Sequence, residues 1–296
     1  MKVFVWAVAL VFIVVDGYGA GLQQSAVCTE PGVASLVQPQ PVNIEGATSY
    51  TYKSVSGAVL RLHVFEPKGA RSRKLPAIVL FFGGGWLWGN VADVVPQAQY
   101  FSDRGMVAIA ADYRVFCRHQ SDITQEMADA RSAIRWVRLH AKDLGIAPNR
   151  IAAGGSFSGA HLALTTAGFD DLDTFAENTT VSSRPDALVL YHPSVDETSA
   201  EERKNSADAL GNHGRDVSPA YHISPNLPSM LILEGTADPL YSTVEKYCSK
   251  VRSSGGYCEF SKYDGALPDG GKWSRDVLLD ADRFLTKEGF LARRDR

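Results

Sequence analysis

RIAAGGSFSGAHLAL, Arg150 to Leu164, runs from a short apolar segment into a helical one through a turn of small residues. A strand that breaks sharply into a helix in this way can lift one side chain clear of the backbone as a nucleophile, provided that the positions two before and two after it are small. Three registers satisfy that condition here. Phe157 is flanked by Gly155 and Gly159, Ser156 by Gly154 and Ser158, and Ser158 by Ser156 and Ala160. Glycine tolerates a strained turn better than serine, so the spacing favours Phe157 at the tip. Phenylalanine has no nucleophilic atom, and the chemistry of the turn therefore depends on its register.

The surrounding pattern sets this turn in a parallel sheet. Ala77–Phe82, Val107–Ala111, Ile151–Ala153, Ala187–Tyr191 and Met230–Leu233 are short continuous apolar runs, the signature of strands covered on both faces. Between them, Met127, Ala130, Ile134, Val137, Ala141 and Leu144 step by three or four, which predicts a helix with one buried face. Asp122 and Gln125 suit its start and Gly145 its end. Trp273, Val277, Ala281 and Phe284 repeat the helical spacing, and Thr51–Pro67 alternates like an antiparallel hairpin. The expected class is α/β: a doubly wound, mostly parallel sheet with helices on both faces and an antiparallel hairpin at its N-terminal edge.

Lys2 followed by the apolar run Val3–Val15 and small residues near Gly19 reads as a secretory signal peptide over 1–20. Its 13 apolar residues span about 20 Å as a helix, short of a hydrocarbon core of roughly 30 Å. Residues 21–48 are an irregular lead-in, and 49–296 form one domain with polar insertions near 168–185 and 193–228. No later stretch is apolar enough to span a membrane, so the expected location is extracytoplasmic, secreted or periplasmic. The net charge of −3 and the lack of a long basic run argue against a nucleic-acid partner. In an exported chain the four cysteines are expected to pair, Cys248 with Cys258 across the Gly255-Gly256 turn and Cys28 with Cys117, although the sequence allows three connectivities. They form no C-x-x-C pair, and neither metal nor cofactor is expected. Asn178-Thr179-Thr180 is a glycosylation sequon.

The glycines of FFGGGWLWG, Phe81–Gly89, follow a buried strand and let backbone N–H groups of Gly83, Gly84 and Gly85 converge on one point, as an oxyanion hole requires. Together with MVAIAADYR (106–114), ARSAIRWVR (130–138), the turn at Phe157, SSRPDALVLYHPSVD (182–196) and EGTADPL (234–240), this loop resembles the α/β-hydrolase esterases of the hormone-sensitive-lipase and feruloyl- or acetylxylan-esterase-like type. The resemblance extends from about Val59 to Leu285. It implies a Ser-Asp-His triad, an acid at Asp238, and a structural role for Asp112-Tyr113-Arg114. Relatives read approximately RIAAGGGSAGGHLA at the turn, which sets Phe157 against their serine. In this fold the histidine follows the acid in the chain. All seven histidines precede Asp238, and where relatives resemble YEGxGHGF this chain has YDGALPDGG, with Pro268 at the histidine's place and Asp269 beside it. A carboxylate is a weak base for a serine hydroxyl.

The expectation is a protein of carboxylic-ester-hydrolase ancestry with nucleophile and base lost and its activity absent or strongly impaired. It would retain a pocket for a small acyl ester or an acylated saccharide. The alternative is a working carboxylesterase in which Ser156 or Ser158 attacks and His192, at the end of the ALVLY strand, substitutes as base. His161, on the helix after the turn, reads as a packing residue. The oligomeric state is left open by the sequence.

Overall fold

The computed structural model describes residues 28–29, 36–69, 74–169, 179–199, 213–265 and 275–293. The expected signal peptide, Asn178, Pro268 and Asp269 lie outside the described residues. Eight strands form one sheet: β1 (Thr48–Val55), β2 (Ala58–Phe65), β3 (Leu75–Phe81), β4 (Val107–Ala111), β5 (Ile146–Ser156), β6 (Ala187–Tyr191), β7 (Ser229–Gly235) and β8 (Cys258–Tyr263). Their spatial order is β1-β2-β4-β3-β5-β6-β7-β8. β1 and β2 pair antiparallel, β2 also runs antiparallel to β4, and all other neighbours are parallel. This is the α/β-hydrolase architecture that the resemblance implies.

Continuous apolarity has the expected meaning. Every residue of β4 and β6 is buried, because helices pack over the sheet and leave neither pleat face to solvent. The main helices are α1 (Val95–Asp103), α2 (Ile123–Leu139), α3 (Ser158–Thr165), α4 (Tyr241–Ser253) and α5 (Arg275–Lys287). Asp122 caps α2: its Oδ1 accepts from Gln125 N at 2.9 Å while the Gln125 side chain returns to the Asp122 amide, a complete capping box. The apolar stripe continues beyond the helix. α2 stops at Leu139, and Ala141 and Leu144 are buried from the turns that follow, with Gly145 at φ 66° ending those turns rather than the helix.

The chain winds from β3 to β4 on one side and then crosses to β5 on the other. The carboxyl ends of β3 and β5 therefore flank the point where the winding reverses, and in open sheets that crevice is where ligands bind. Both the glycine loop after β3 and the turn after β5 open there.

Both expected disulfides are present. Cys28 joins Cys117 with Cα atoms 5.4 Å apart, and Cys248 joins Cys258 at 5.6 Å, tying α4 to β8. Asp112-Tyr113-Arg114 is structural in detail. Arg114 forms a two-point pair with Asp129 of α2, Nε to Oδ2 at 2.7 Å and Nη2 to Oδ1 at 2.9 Å, both side chains being buried. Tyr113 stacks on Phe82 with ring centroids 4.1 Å apart and donates its hydroxyl to the Phe82 carbonyl at 2.7 Å, which anchors the glycine loop.

Among the described residues, Asp112 makes no such two-point pair with an arginine. Burial pushes its carboxyl up to about 7, only partly offset by the Arg118 charge and the bond from Tyr113 N. An unfolded Asp releases its proton near pH 4, whereas the folded one keeps it to about pH 7. This group's contribution is thus present at low pH and lost as pH rises through 7, at a slope of at most about 1.4 kcal/mol per pH unit. His63, His119 and His161, held down to about 4 chiefly by burial, act in the opposite sense between about pH 4 and 6.5. Asp112→Asn should therefore gain stability relative to the parent as pH rises from 4 to 7 and show a constant difference above it. Urea midpoints of the two chains across that range check this, and a pH-independent difference would refute it.

Candidate active site

The turn register is visible in the backbone. Phe157 has φ 50° and ψ −113°, between the end of β5 and the first residue of α3. A β-carbon on Gly155 would lie 2.5 Å from the Phe81 carbonyl oxygen, and one on Gly159 would lie 2.2 Å from the same atom and 2.3 Å from that of Phe82. Only glycine fits at the positions two before and two after Phe157, so the tip of the elbow is Phe157.

Among the described residues, five that are not glycine have positive φ, and three of them meet here: Trp86 (64°), Phe157 (50°) and His192 (35°). The Phe157 ring stands between the other two, its centroid 6.0 Å from Trp86 and 6.1 Å from His192, with the imidazole within 15° of parallel. Each such backbone costs roughly 1–3 kcal/mol and persists only where its surroundings enforce it. The hydrogen bonds that enforce it are present: Phe157 N–H donates to the Tyr191 carbonyl at 3.0 Å, and His192 N–H to that of Leu233 at 2.9 Å.

The two serines differ sharply. Ser158 is fully buried, and its Oγ accepts from Gly85 N at 3.0 Å, so its hydroxyl braces the glycine loop. Ser156 is half-buried, and its Oγ lies 2.8 Å from His192 Nε2. Gly83 runs close by; a β-carbon there would sit 3.6 Å from Ser156 Oγ. The loop holds its shape through the Gly84 carbonyl, which accepts from both Leu87 N and Trp88 N at 3.2 Å. Gly84 and Gly85, at φ 139° and 62°, adopt backbones that favour glycine.

Asp238 follows β7, next to the β6 end from which His192 departs. Its Oδ1 accepts from Leu240 N at 2.8 Å, capping the turn that leads into α4. His161 is buried on α3, edge-on to Trp86 at 5.1 Å, with Nε2 2.8 Å from the Val217 carbonyl oxygen. It joins the elbow helix to the second insertion, a packing role. His222 packs on Phe169, with ring centroids 4.1 Å apart. Phe157, Ser156, His192 and the glycine loop, all candidates on sequence grounds, lie side by side. Trp86, fully buried at the far end of that aromatic row from His192, was not among the candidates, although it stands in FFGGGW.

A strained elbow after β5, a glycine loop after β3 and an acid after β7 at a topological switch point define an esterase-type α/β-hydrolase site. The comparisons agree. The BD-FAE family model matches residues 62–247, and the chain belongs to this hormone-sensitive-lipase-like α/β-hydrolase family. Esterase 2 of Thermogutta terrifontis, in its native form, is 36% identical with a TM-score of 0.81, covering 88% of this chain and 99% of that one. Its sarin-phosphonylated form gives 36% and 0.81, over 85% and 98%. Esterase LipC of Mycobacterium tuberculosis is 28% identical over 235 residues, 69% of this chain and 58% of its own length. A non-reducing polyketide synthase of Stereocaulon alpinum is 30% identical over 124 residues, 39% of this chain and 5% of its own length. The chain thus spans little more than half of the first of these curated relatives and a small fraction of the second.

Proposed function

We propose that this is an exported protein of carboxylic-ester-hydrolase descent that binds a short-acyl ester or acylated saccharide in the old active-site crevice and turns it over poorly. The observation that carries this reading is Phe157 at the elbow tip, between two glycines that no other residue could replace. The histidine's absence after Asp238 supports it independently. Loss of either the serine or the histidine of a triad removes about a million-fold of rate, leaving roughly 10³ to 10⁴ over water from the oxyanion hole and binding. Export rests on the apolar N-terminal leader and suits a chain whose four cysteines are paired.

Steady-state hydrolysis of 4-nitrophenyl acetate by the mature chain tests the catalytic half. The expected turnover is far below about 1 s⁻¹, the low end of ordinary enzymes. Sustained turnover at or above that rate would sink the reading. Calorimetric titration with acetylated xylo-oligosaccharides tests the binding half, and no saturable heat would remove it. A second reading, a working esterase built on Ser156 and His192, is favoured by their 2.8 Å contact.

A further inference from the structure

The geometry points to Ser156 and His192 as a nucleophile–base pair, displaced one residue upstream of the elbow tip, that accepts a single acyl or phosphoryl group from esters with good leaving groups and releases it slowly. This rests on the reading that Phe157 has taken the nucleophile's place, and it adds what the site still does chemically. Ser156 Oγ is within hydrogen-bond reach of His192 Nε2 and only half-buried, the arrangement that activates a hydroxyl. His192 holds that position on a strained backbone, φ 35°, fixed by the hydrogen bond that its N–H donates to the Leu233 carbonyl. Gly83 runs so close to Ser156 that a β-carbon on it would lie 3.0 Å from the Ser156 carbonyl oxygen and 3.6 Å from Oγ, so any side chain there would press on the reacting residue.

The displacement also explains why the pair should stall. In this fold one oxyanion donor is the amide of the residue after the nucleophile. For Ser156 that amide is Phe157 N–H, which is already given to the Tyr191 carbonyl at 3.0 Å. Loss of one such donor costs about 10²- to 10³-fold. The penalty bears most on steps that expel a poor leaving group or return the acyl group to water. An activated ester can still react once. Ser156 Oγ bonds to the carbonyl carbon or phosphorus, the bond to the leaving oxygen breaks, and the serine proton passes to His192 Nε2 and then to the departing phenolate or to solvent.

The test incubates the mature chain with excess diethyl 4-nitrophenyl phosphate, following 4-nitrophenolate release and intact mass. The expected result is about one equivalent of phenolate and one diethylphosphoryl adduct per chain, mapped to Ser156. Ser156→Ala should abolish the adduct. His192→Gln should slow its formation at least about 100-fold, and Gly83→Ala, which narrows the space beside Oγ, should slow it as well. Melting curves of the variants establish that each is folded. No adduct on the parent, an adduct mapped elsewhere, or an unchanged rate in Ser156→Ala overturns the inference. Saccharide binding is measured separately on Ser156→Ala, so its loss or persistence bears on the binding proposal and not on this one.

Discussion

Phe157→Ser combined with Pro268→His is expected to raise steady-state hydrolysis of 4-nitrophenyl acetate at least about 100-fold over the parent, and by more than the product of the two single changes. The elbow needs no rebuilding: the φ 50° tip and its two glycines are in place, as are the glycine loop and the acid position after β7. A serine at the tip also recovers the fold's own oxyanion amide, that of Ser158, a first-turn donor with no partner within the helix. Neither single change supplies both nucleophile and base. Phe157→Ser alone leaves the tip without a histidine downstream of Asp238, and Pro268→His alone leaves a phenylalanine at the tip, with no hydroxyl there for that histidine to activate. Pro268 lies outside the described residues, and its choice rests on the match of YDGALPDGG to the family's histidine loop. Rates of the parent, both singles and the double decide the matter. Gains that merely multiply would show that the two positions do not act as a unit.

Breaking the Cys28–Cys117 bridge should cost about 4 to 5 kcal/mol of unfolding free energy, against about 2 to 3 for Cys248–Cys258. The first closes a separation of 89 residues and the second one of 10, and the entropy that a cross-link removes from the unfolded chain grows with the logarithm of that length. Alanine pairs at each bridge, compared by urea unfolding, separate the two effects. Burial works against the expected order, because Cys248 and Cys258 are buried and Cys28 and Cys117 are only half-buried. A larger loss at Cys248–Cys258 would therefore show that native packing, not chain entropy, sets the value of these bridges.

The core of the fold was legible because parallel strands must be apolar throughout: β4 and β6 match the runs Val107–Ala111 and Ala187–Tyr191 residue for residue. β8 carried no such signal. As the outermost strand beyond β7 it reads CEFSKY, mostly half-buried, and polarity of that kind resembles a loop. α1 and α4 went unread because α1 is short and its apolar face weak, while α4 is rich in charge. At the site, the elbow register followed from where glycine alone can stand, since steric exclusion is written in the residue type. The sequence offered both Ser156 and Ser158 as partners of His192; that the contact falls to Ser156 depends on the parallel register of β5 against β6, which sets Ser156 opposite Tyr191, 36 positions being too far for local pattern to decide. The strain at Trp86 had no counterpart in composition at all.

The Cys28–Cys117 bridge also determines how a pull would travel through this molecule. Tension applied at the N-terminal end passes through the sulfurs directly into the segment after β4, bypassing β1, β2, β3 and β4, which lie inside the covalent ring. The hairpin at the sheet margin, which would otherwise peel first strand by strand, carries no load until the bridge is cut. If the chain is held at its N-terminal end, the point of attachment is mechanically Cys117, on the short helical turn Phe116–His119 after β4, where Cys117 N–H bonds to the Leu87 carbonyl in the glycine loop. Tethered in this way, the crevice would feel the anchor before the rest of the sheet does.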